Sequence, residues 1–195
     1  MKCDIILAGV GGQGILSIAA TIGLAAVEKN LFLKQSEVHG MSQRGGDVQS
    51  HLRLSDTEIH SDLIPDGKAD LIISVEPMEA LRYLPWLSPE GWIVTSSVPF
   101  INIPDYPAID DIMSELKKAG NTIVIDADTI AKDLGSSRSG NMVILGAASS
   151  FIALTFESLE NAVRQLFNRK GEEVVDLNLK ALRAGRDAAG GQKDR

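Results

Sequence analysis

Six residues near the amino terminus have the types and spacing of an anion-binding turn. The segment 9–14 (GVGGQG) fits the pattern G-x-G-x-x-G, directly after a short apolar run and directly before a helical pattern. Glycine permits a tight turn and brings backbone N–H groups close to an anion at the positive end of the following helix. The alternative is that the glycines only allow helix and sheet to pack closely, and the pattern leaves both interpretations open. The candidate binding residues are Gly9, Gly11, Gly12, Gln13 and Gly14.

Two nucleotide-binding interpretations of this turn make different demands on the sequence. A phosphate loop needs Lys and then Ser or Thr after its last glycine, but Ile15 and Leu16 stand there, so nucleoside triphosphate hydrolysis is not predicted. An NAD site needs an acidic residue about 20 positions further on, at the end of the second strand. Glu37 stands slightly late for that role but is admissible, so an independent NAD-dependent dehydrogenase stays an alternative.

A second glycine-containing loop carries a cation. In the polar segment 38–47, Arg44 precedes two glycines, and a guanidinium beside flexible backbone can clamp a phosphate or carboxylate. An ordinary surface loop is the alternative. The histidine at the start of the loop can approach the glycine turn. The candidates here are His39, Gly40, Arg44, Gly45 and Gly46.

Composition excludes several other classes of function. The net charge of −7 argues against nucleic acid as a partner, because that binding depends on Lys and Arg neutralising phosphates. The single cysteine, Cys3, excludes a disulfide and an all-cysteine iron–sulfur cluster held by this chain alone, and we expect it to be buried at the start of the first strand. The three histidines lack metal-binding spacing, so no metal site is predicted. Glycines interrupt the uncharged run 5–27, so we expect a cytoplasmic protein without a membrane span.

Hydrophobic periodicity predicts an α/β fold with a single Rossmann-like domain. A buried strand at 4–8, the glycine turn, a helix at 12–28 and a strand at 31–37 predict a crossover unit of a parallel sheet. We therefore expect a mostly parallel sheet with helices on both faces and a helical carboxyl-terminal region, forming one domain over 1–185 and a flexible tail over 186–195. Further strands are predicted at 48–54, 71–75, 92–95 and 122–126, and helices at 77–84, 109–119, 141–154, 158–168 and 172–188.

Several segments together resemble the gamma domain of pyruvate and other 2-oxoacid:ferredoxin oxidoreductases. The resemblance covers about residues 1–185 and is most specific in the combination of the glycine turn with the His-Gly…Arg-Gly-Gly loop. The sequence of that loop, HGMSQRGG, is most similar to the indolepyruvate branch of the family. The matching segments are 9–14, 37–46, 69–71, 76–80, 91–94 and 141–147.

The resemblance implies a reaction and a division of labour between subunits. The reaction is CoA-dependent oxidative decarboxylation of a 2-oxoacid, here indolepyruvate or another aryl-pyruvate, with ferredoxin as electron acceptor. Thiamine diphosphate, Mg and the 4Fe-4S clusters are expected in a larger partner subunit, and this chain is expected to bind no cofactor alone and to be inactive alone. No catalytic residue is assigned to it. Its glycine turn and second loop are expected to face the partner and help seat CoA or substrate; a purely structural assembly subunit is the alternative.

Overall fold

The computed structural model describes residues 1–39 and 45–193, and within them it contains one sheet and seven α-helices. The strands are β1 (Lys2–Val10), β2 (Phe32–His39), β3 (Asp47–Ser55), β4 (Ala69–Ser74), β5 (Leu87–Ser96) and β6 (Thr122–Ile125). The helices are α1 (Ile15–Glu28), α2 (Pro77–Arg82), α3 (Ile109–Lys118), α4 (Ala127–Asp133), α5 (Gly140–Ala148), α6 (Phe156–Phe167) and α7 (Glu172–Lys193).

The sheet has the strand order β2-β3-β1-β4-β5-β6. Strands β1, β4, β5 and β6 pair in parallel, whereas β3 runs antiparallel to both of its neighbours, β1 and β2. The predicted Rossmann-like α/β class with a mostly parallel sheet is confirmed. The first crossover differs from the prediction in one respect: β2 has the direction of β1 but does not pair with it, because β3 lies between them.

Strand β1 is the centre of the sheet and is buried on both faces, as its uninterrupted apolar run predicts. On one face Ile5 and Leu7 pack in the layer formed by α1, α5, α6 and α7. On the other face Ile6 and Ala8 pack with α2 and α3. Burying an aliphatic side chain of this size contributes about 1.5–3 kcal/mol, so β1 anchors both layers of the core.

Helices α5 and α7 make the closest backbone contact in the core. A Cβ atom built on Gly146 would lie 1.9 Å from the carbonyl oxygen of Leu182, and one built on Gly185 would lie 1.9 Å from that of Val143. Gly185 lies inside α7, within the predicted helix 172–188, and its missing side chain allows the two helices to touch. The helix continues to Lys193, through most of the predicted tail, and the flexibility of that segment stays a prediction.

Some local predictions need correction. Helix α4 was not predicted; Asp126 caps it, accepting a hydrogen bond from the Thr129 N–H at 2.9 Å. Helix α6 was predicted to begin near Ser158, but it begins at Phe156 and is capped by Thr155, which accepts a hydrogen bond from the N–H of Ser158. The predicted burial of Cys3 is confirmed, and burial raises the pKa of its thiol to about 11. Among the helices of the described ranges, none has the length and apolar character needed to cross a membrane.

The segment that follows β3 is held on the sheet by buried polar groups. Asp4, which is fully buried, accepts two hydrogen bonds from Arg53, at 2.8 Å and 3.1 Å. The guanidinium of Arg53 also donates to the carbonyl oxygens of Ser61 and Leu63. Beside it, the buried Nδ1 of His51 accepts the N–H of Ile64 at 3.0 Å. These bonds attach the segment to β3 and close one side of the core.

We expect the stability of the fold to fall in mild acid because of His51. Burial, and after it the charge of Arg53, lower the pKa of His51 from 6.5 in the folded protein, while Asp4 acts in the opposite direction. The unfolded chain therefore takes up a proton at higher pH than the folded protein does. The free energy of unfolding should decrease as the pH falls through 6.5 towards the lowered folded pKa.

The measurement is the urea midpoint between about pH 8 and about pH 5 for the wild type and for His51→Gln. The glutamine amide oxygen can accept the Ile64 N–H but does not titrate, so the wild type should lose stability relative to the variant in the acid part of the range. Parallel curves for the two proteins would show that His51 does not control the pH dependence.

Candidate functional site

A crevice opens at the carboxyl ends of the parallel strands between β1 and β4. The chain leaves β1 through α1 towards one face of the sheet and leaves β4 through α2 towards the other face. A parallel sheet whose connections diverge in this way has a gap at that point, and ligands of α/β proteins bind there. The N–H of Val75 donates to the carbonyl oxygen of Ala8 at 3.1 Å and closes the bottom of the gap.

The glycine turn lies at the mouth of this crevice and is folded by its own hydrogen bonds. The N–H of Gln13 donates to the carbonyl oxygen of Val10 at 3.1 Å, and the side-chain oxygen of Gln13 accepts the N–H of Val10 at 2.8 Å. A side chain on Gly9 would lie 2.4 Å from Cγ2 of Val75, so this position allows the turn to approach the end of β4. Gln13 therefore shapes the turn from within.

Gly14 begins α1 in a left-handed conformation with φ of +83°. Its carbonyl oxygen accepts a hydrogen bond at 3.0 Å from the side chain of Asn141, which lies in the first turn of α5. A Cβ atom on Gly14 would lie only 2.5 Å from Nδ2 of Asn141. Gly14 thus meets two requirements, a positive φ and a close approach, and it joins the beginnings of α1 and α5.

The two glycine-containing bends that the sequence singled out are in contact. The N–H of Gly11 donates to the carbonyl oxygen of Gly46 at 2.8 Å. The amide of Asn102, in the loop after β5, donates to the carbonyl oxygen of Gly45 at 2.5 Å. His39 ends β2, where its backbone pairs with Val48. The side chain of His39, together with residues Gly40 and Arg44, lies outside the described residues.

Two of the four backbone N–H groups from Gly11 to Gly14 are already hydrogen-bonded within the protein. Of the turn's N–H groups, that of Gly11 is used by Gly46 and that of Gln13 by Val10. Within the described ranges, no protein acceptor takes the N–H of Gly12 or of Gly14. The N–H groups of Gly12 and Gly14 are therefore the candidate donors to an anion, and the binding role of the run from Gly11 to Gly14 stays a prediction.

These two glycines line a cleft of about 670 Å³. The amino ends of both α1 and α5 open on the cleft, and backbone N–H groups at such ends favour anions. The charged residues among the described ones that line it are Asp128, Arg138 and Lys170, which is two cations and one carboxylate. Sequence reasoning missed Arg138 and Lys170. Each is an unremarkable surface cation in sequence, and only the tertiary fold brings it to the glycine turn.

A buried carboxylate lies under the same edge of the sheet. Glu76 is fully buried and begins α2, where its side chain accepts the N–H of Glu79 at 2.8 Å. It also accepts the N–H of Phe100 at 3.3 Å and the hydroxyl of Tyr106. Burial, and then the bond to Glu76, raise the pKa of Tyr106. Burial likewise raises the pKa of Glu79, while its ion pair with Arg82 opposes that shift.

The described residues contain no group of three or more His, Cys, Asp or Glu side chains that could hold a metal ion. At the carboxyl ends of the parallel strands the described residues present backbone N–H groups and two cations around a cleft. The fold and the site define a Rossmann-like chain with a glycine-lined cleft at this position.

Comparison with known proteins identifies the family. Residues 4–188 match the family described as pyruvate ferredoxin/flavodoxin oxidoreductase, and the chain belongs to that family. Indolepyruvate oxidoreductase subunit IorB of Methanothermobacter thermautotrophicus is 40% identical over 196 residues, covering 97% of this chain and 98% of that protein. The subunit of the same name from Archaeoglobus fulgidus is 36% identical and covers 97% of this chain and 96% of its own length.

Solved structures agree with the fold. The gamma subunit of a keto/oxoacid ferredoxin oxidoreductase from Geobacter sulfurreducens superposes with a TM-score of 0.70 at 25% identity, over 97% of this chain and 99% of that one. A 2-oxoglutarate:ferredoxin oxidoreductase from Magnetococcus marinus, solved with 2-oxoglutarate, coenzyme A and succinyl-CoA bound, has a TM-score of 0.76 at 23% identity. It covers 97% of this chain, which corresponds to 31% of that longer chain. The predicted resemblance is confirmed.

The NAD alternative does not fit the sheet. An NAD-binding turn places the ribose-binding carboxylate at the end of the strand next to β1. Here β3 occupies that place, and β2, which carries Glu37, lies two strand spacings away, about 10 Å from β1. The amide of Gln35 also donates to the carboxylate of Glu37 at 3.2 Å. The dinucleotide interpretation is therefore not favoured.

We expect Gly14→Ala to destabilise the protein more than Gly135→Ala does. Both glycines have nearly the same left-handed φ, +83° and +82°, but a Cβ atom at Gly135 meets nothing within 4 Å. Gly135→Ala should cost roughly 1–2 kcal/mol for the backbone alone. Gly14→Ala should cost roughly 1 kcal/mol more, because Asn141 must give up its hydrogen bond to Gly14. Denaturant unfolding of both variants measures the difference, and equal losses would exclude a role for the Asn141 contact.

Proposed function

We propose that this chain is the small subunit of a 2-oxoacid:ferredoxin oxidoreductase whose substrate is indolepyruvate or another aryl-pyruvate. The observation that carries the proposal is 40% identity to an indolepyruvate oxidoreductase subunit over nearly the full length of both chains. The complex would convert the 2-oxoacid and CoA to an aryl-acetyl-CoA and carbon dioxide, passing two electrons to ferredoxin. A reducing cytoplasm suits a chain with one buried thiol.

The cofactors of this reaction would belong to a larger partner subunit. A cubane iron–sulfur cluster needs four thiolates, and the whole chain has one cysteine, which is buried. The donor set of this chain therefore does not fit a cluster. We place the clusters, thiamine diphosphate and its magnesium in the partner, and expect this chain to be inactive alone.

The contribution of this chain would be to seat an anionic group of CoA or of the substrate at the partner's active centre. Support comes from the contact between the two glycine bends and from the adjoining cleft with its two helix amino ends. The N–H groups of Gly12 and Gly14 would donate to the anion, and Arg138 and Lys170 would supply charge in a protein with a net charge of −7. Arg44 would add bidentate hydrogen bonds from the second bend.

The experiment that tests the function is co-expression of the chain with the larger thiamine- and iron–sulfur-containing subunit. Ferredoxin or dye reduction is then measured with several 2-oxoacids, for the complex and for each subunit alone. We expect CoA-dependent reduction by the complex only, fastest with aryl-pyruvates. Complete turnover by the isolated chain, or NAD reduction by it, would contradict the proposal.

We refer to the proposed anion-binding groups of the glycine turn and the second bend as the anion seat. In the assembled complex we expect Arg44→Ala to raise the apparent KM for CoA about tenfold or more, because a charge-assisted hydrogen bond contributes about 1.5–3 kcal/mol. The matched control is Arg183→Ala, which removes an exposed guanidinium that pairs with Glu160 on the surface. An unchanged KM and rate in Arg44→Ala would favour a bend that only packs against the partner.

A further inference from the structure

Three large apolar side chains stand exposed within a few residues of one another in the loop after β5. We refer to residues 97–106 as the β5–α3 loop. In it Phe100 is 43% exposed, Ile101 71% and Ile103 43%. Ile101 is the most exposed large apolar side chain among the described residues. Clusters of this kind mark contact surfaces more often than isolated exposed residues do.

The loop is held in place by hydrogen bonds along its length. The hydroxyl of Ser96 accepts the N–H of Val98 at 3.1 Å where the loop begins. Further along, Glu76 accepts from the N–H of Phe100 and from the hydroxyl of Tyr106. Asn102 donates to Gly45 at 2.5 Å. The exposed apolar side chains are therefore presented by an ordered backbone.

The β5–α3 loop is anchored by Glu76, and burying the carboxylate of Glu76 costs free energy. A carboxylate loses its hydration when it is fully buried, and only well-placed donors offset that loss. Glu76 has three such donors, and two of them, Phe100 and Tyr106, belong to the loop. Prolines at 99 and 104 restrict the loop further. Such ordering before contact lowers the conformational entropy lost when a partner binds.

We infer that the β5–α3 loop is a docking surface for the larger, cofactor-bearing subunit, with Glu76 as its positioning residue. This inference rests on the proposed function. The loop is hydrogen-bonded to Gly45, so a partner that covers the glycine bends also reaches Ile101. The only charged side chain of the loop is Asp105, which suits an apolar pocket with a polar rim on a protein surface and excludes nucleic acid.

The test is the substitution Ile101→Asp in the co-expressed complex. An exposed side chain tolerates the change in the free chain, whereas a carboxylate placed in a desolvated contact should weaken assembly about 30-fold or more. The matched control is Val27→Asp, which changes a 61% exposed residue in the last turn of α1, at the end of that helix far from the glycine turn. Thermal unfolding of the free chains checks that both variants fold, and the dissociation constant of the two subunits is the measured quantity.

A second variant separates positioning from direct contact. Glu76→Gln keeps the size of the anchor but weakens its hold on Phe100 and Tyr106. In the free chain it should increase amide hydrogen exchange in the β5–α3 loop, and it should weaken assembly less than Ile101→Asp does. Unchanged hydrogen exchange in that loop would show that Glu76 does not position it.

The outcomes distinguish this inference from the proposed function. If Ile101→Asp assembles as tightly as Val27→Asp while Arg44→Ala still impairs CoA dependence, the docking surface is wrong and the anion seat stands. If Ile101→Asp prevents assembly while Arg44→Ala leaves the CoA dependence unchanged, the docking surface is supported and the anion seat is wrong. If the isolated wild-type chain forms a dimer that Ile101→Asp dissociates, the occupant is a second copy, and the inference is overturned.

Discussion

The antiparallel register between β1 and β3 decides where both glycine bends lie. Its last pair is Val10 with Asp47, so the turn that follows β1 and the bend that precedes β3 emerge side by side. The hydrogen bond from Gly11 to Gly46 then joins them. A slip of one residue would exchange the two faces of β3 and expose its buried side chains, so burial of the core fixes the register and, through it, the geometry of the bends.

The same strand determines which groups lie beside the glycine turn. By separating β2 from β1, β3 removes the carboxylate that would hold a ribose and puts a second glycine bend in its place. The turn thus keeps the helix-end N–H groups of a nucleotide-binding fold while it is hydrogen-bonded to the second bend through Gly46. A general fold does not by itself assign a function, so the site has to be considered separately. This arrangement of the two bends is consistent with a chain whose relatives are named as subunits of larger oxidoreductases.

Much of the fold could be predicted from sequence because burial leaves a periodic pattern. The apolar run of β1 and the spacing in α1 gave both elements their correct types and approximate bounds. Periodicity reports which residues are buried but not which strands pair, so the insertion of β3 was not predicted. The predicted helix 172–188 contains Gly185, but sequence alone does not show that this glycine allows α7 to touch α5, because only packing reveals the contact. The cations of the cleft, Arg138 and Lys170, come from distant segments, and no local signal connects them to the turn.

The most direct test of the central claim, that the edge carrying the glycine bends faces the catalytic partner, is amide hydrogen exchange of the free chain against the assembled complex. We expect assembly to protect residues 9–14, 45–46 and 97–106, which lie at the carboxyl ends of the parallel strands. We expect little change at 28–31, near the amino ends of those strands. Protection confined to 28–31, with the glycine bends exchanging as fast as in the free chain, would contradict the claim.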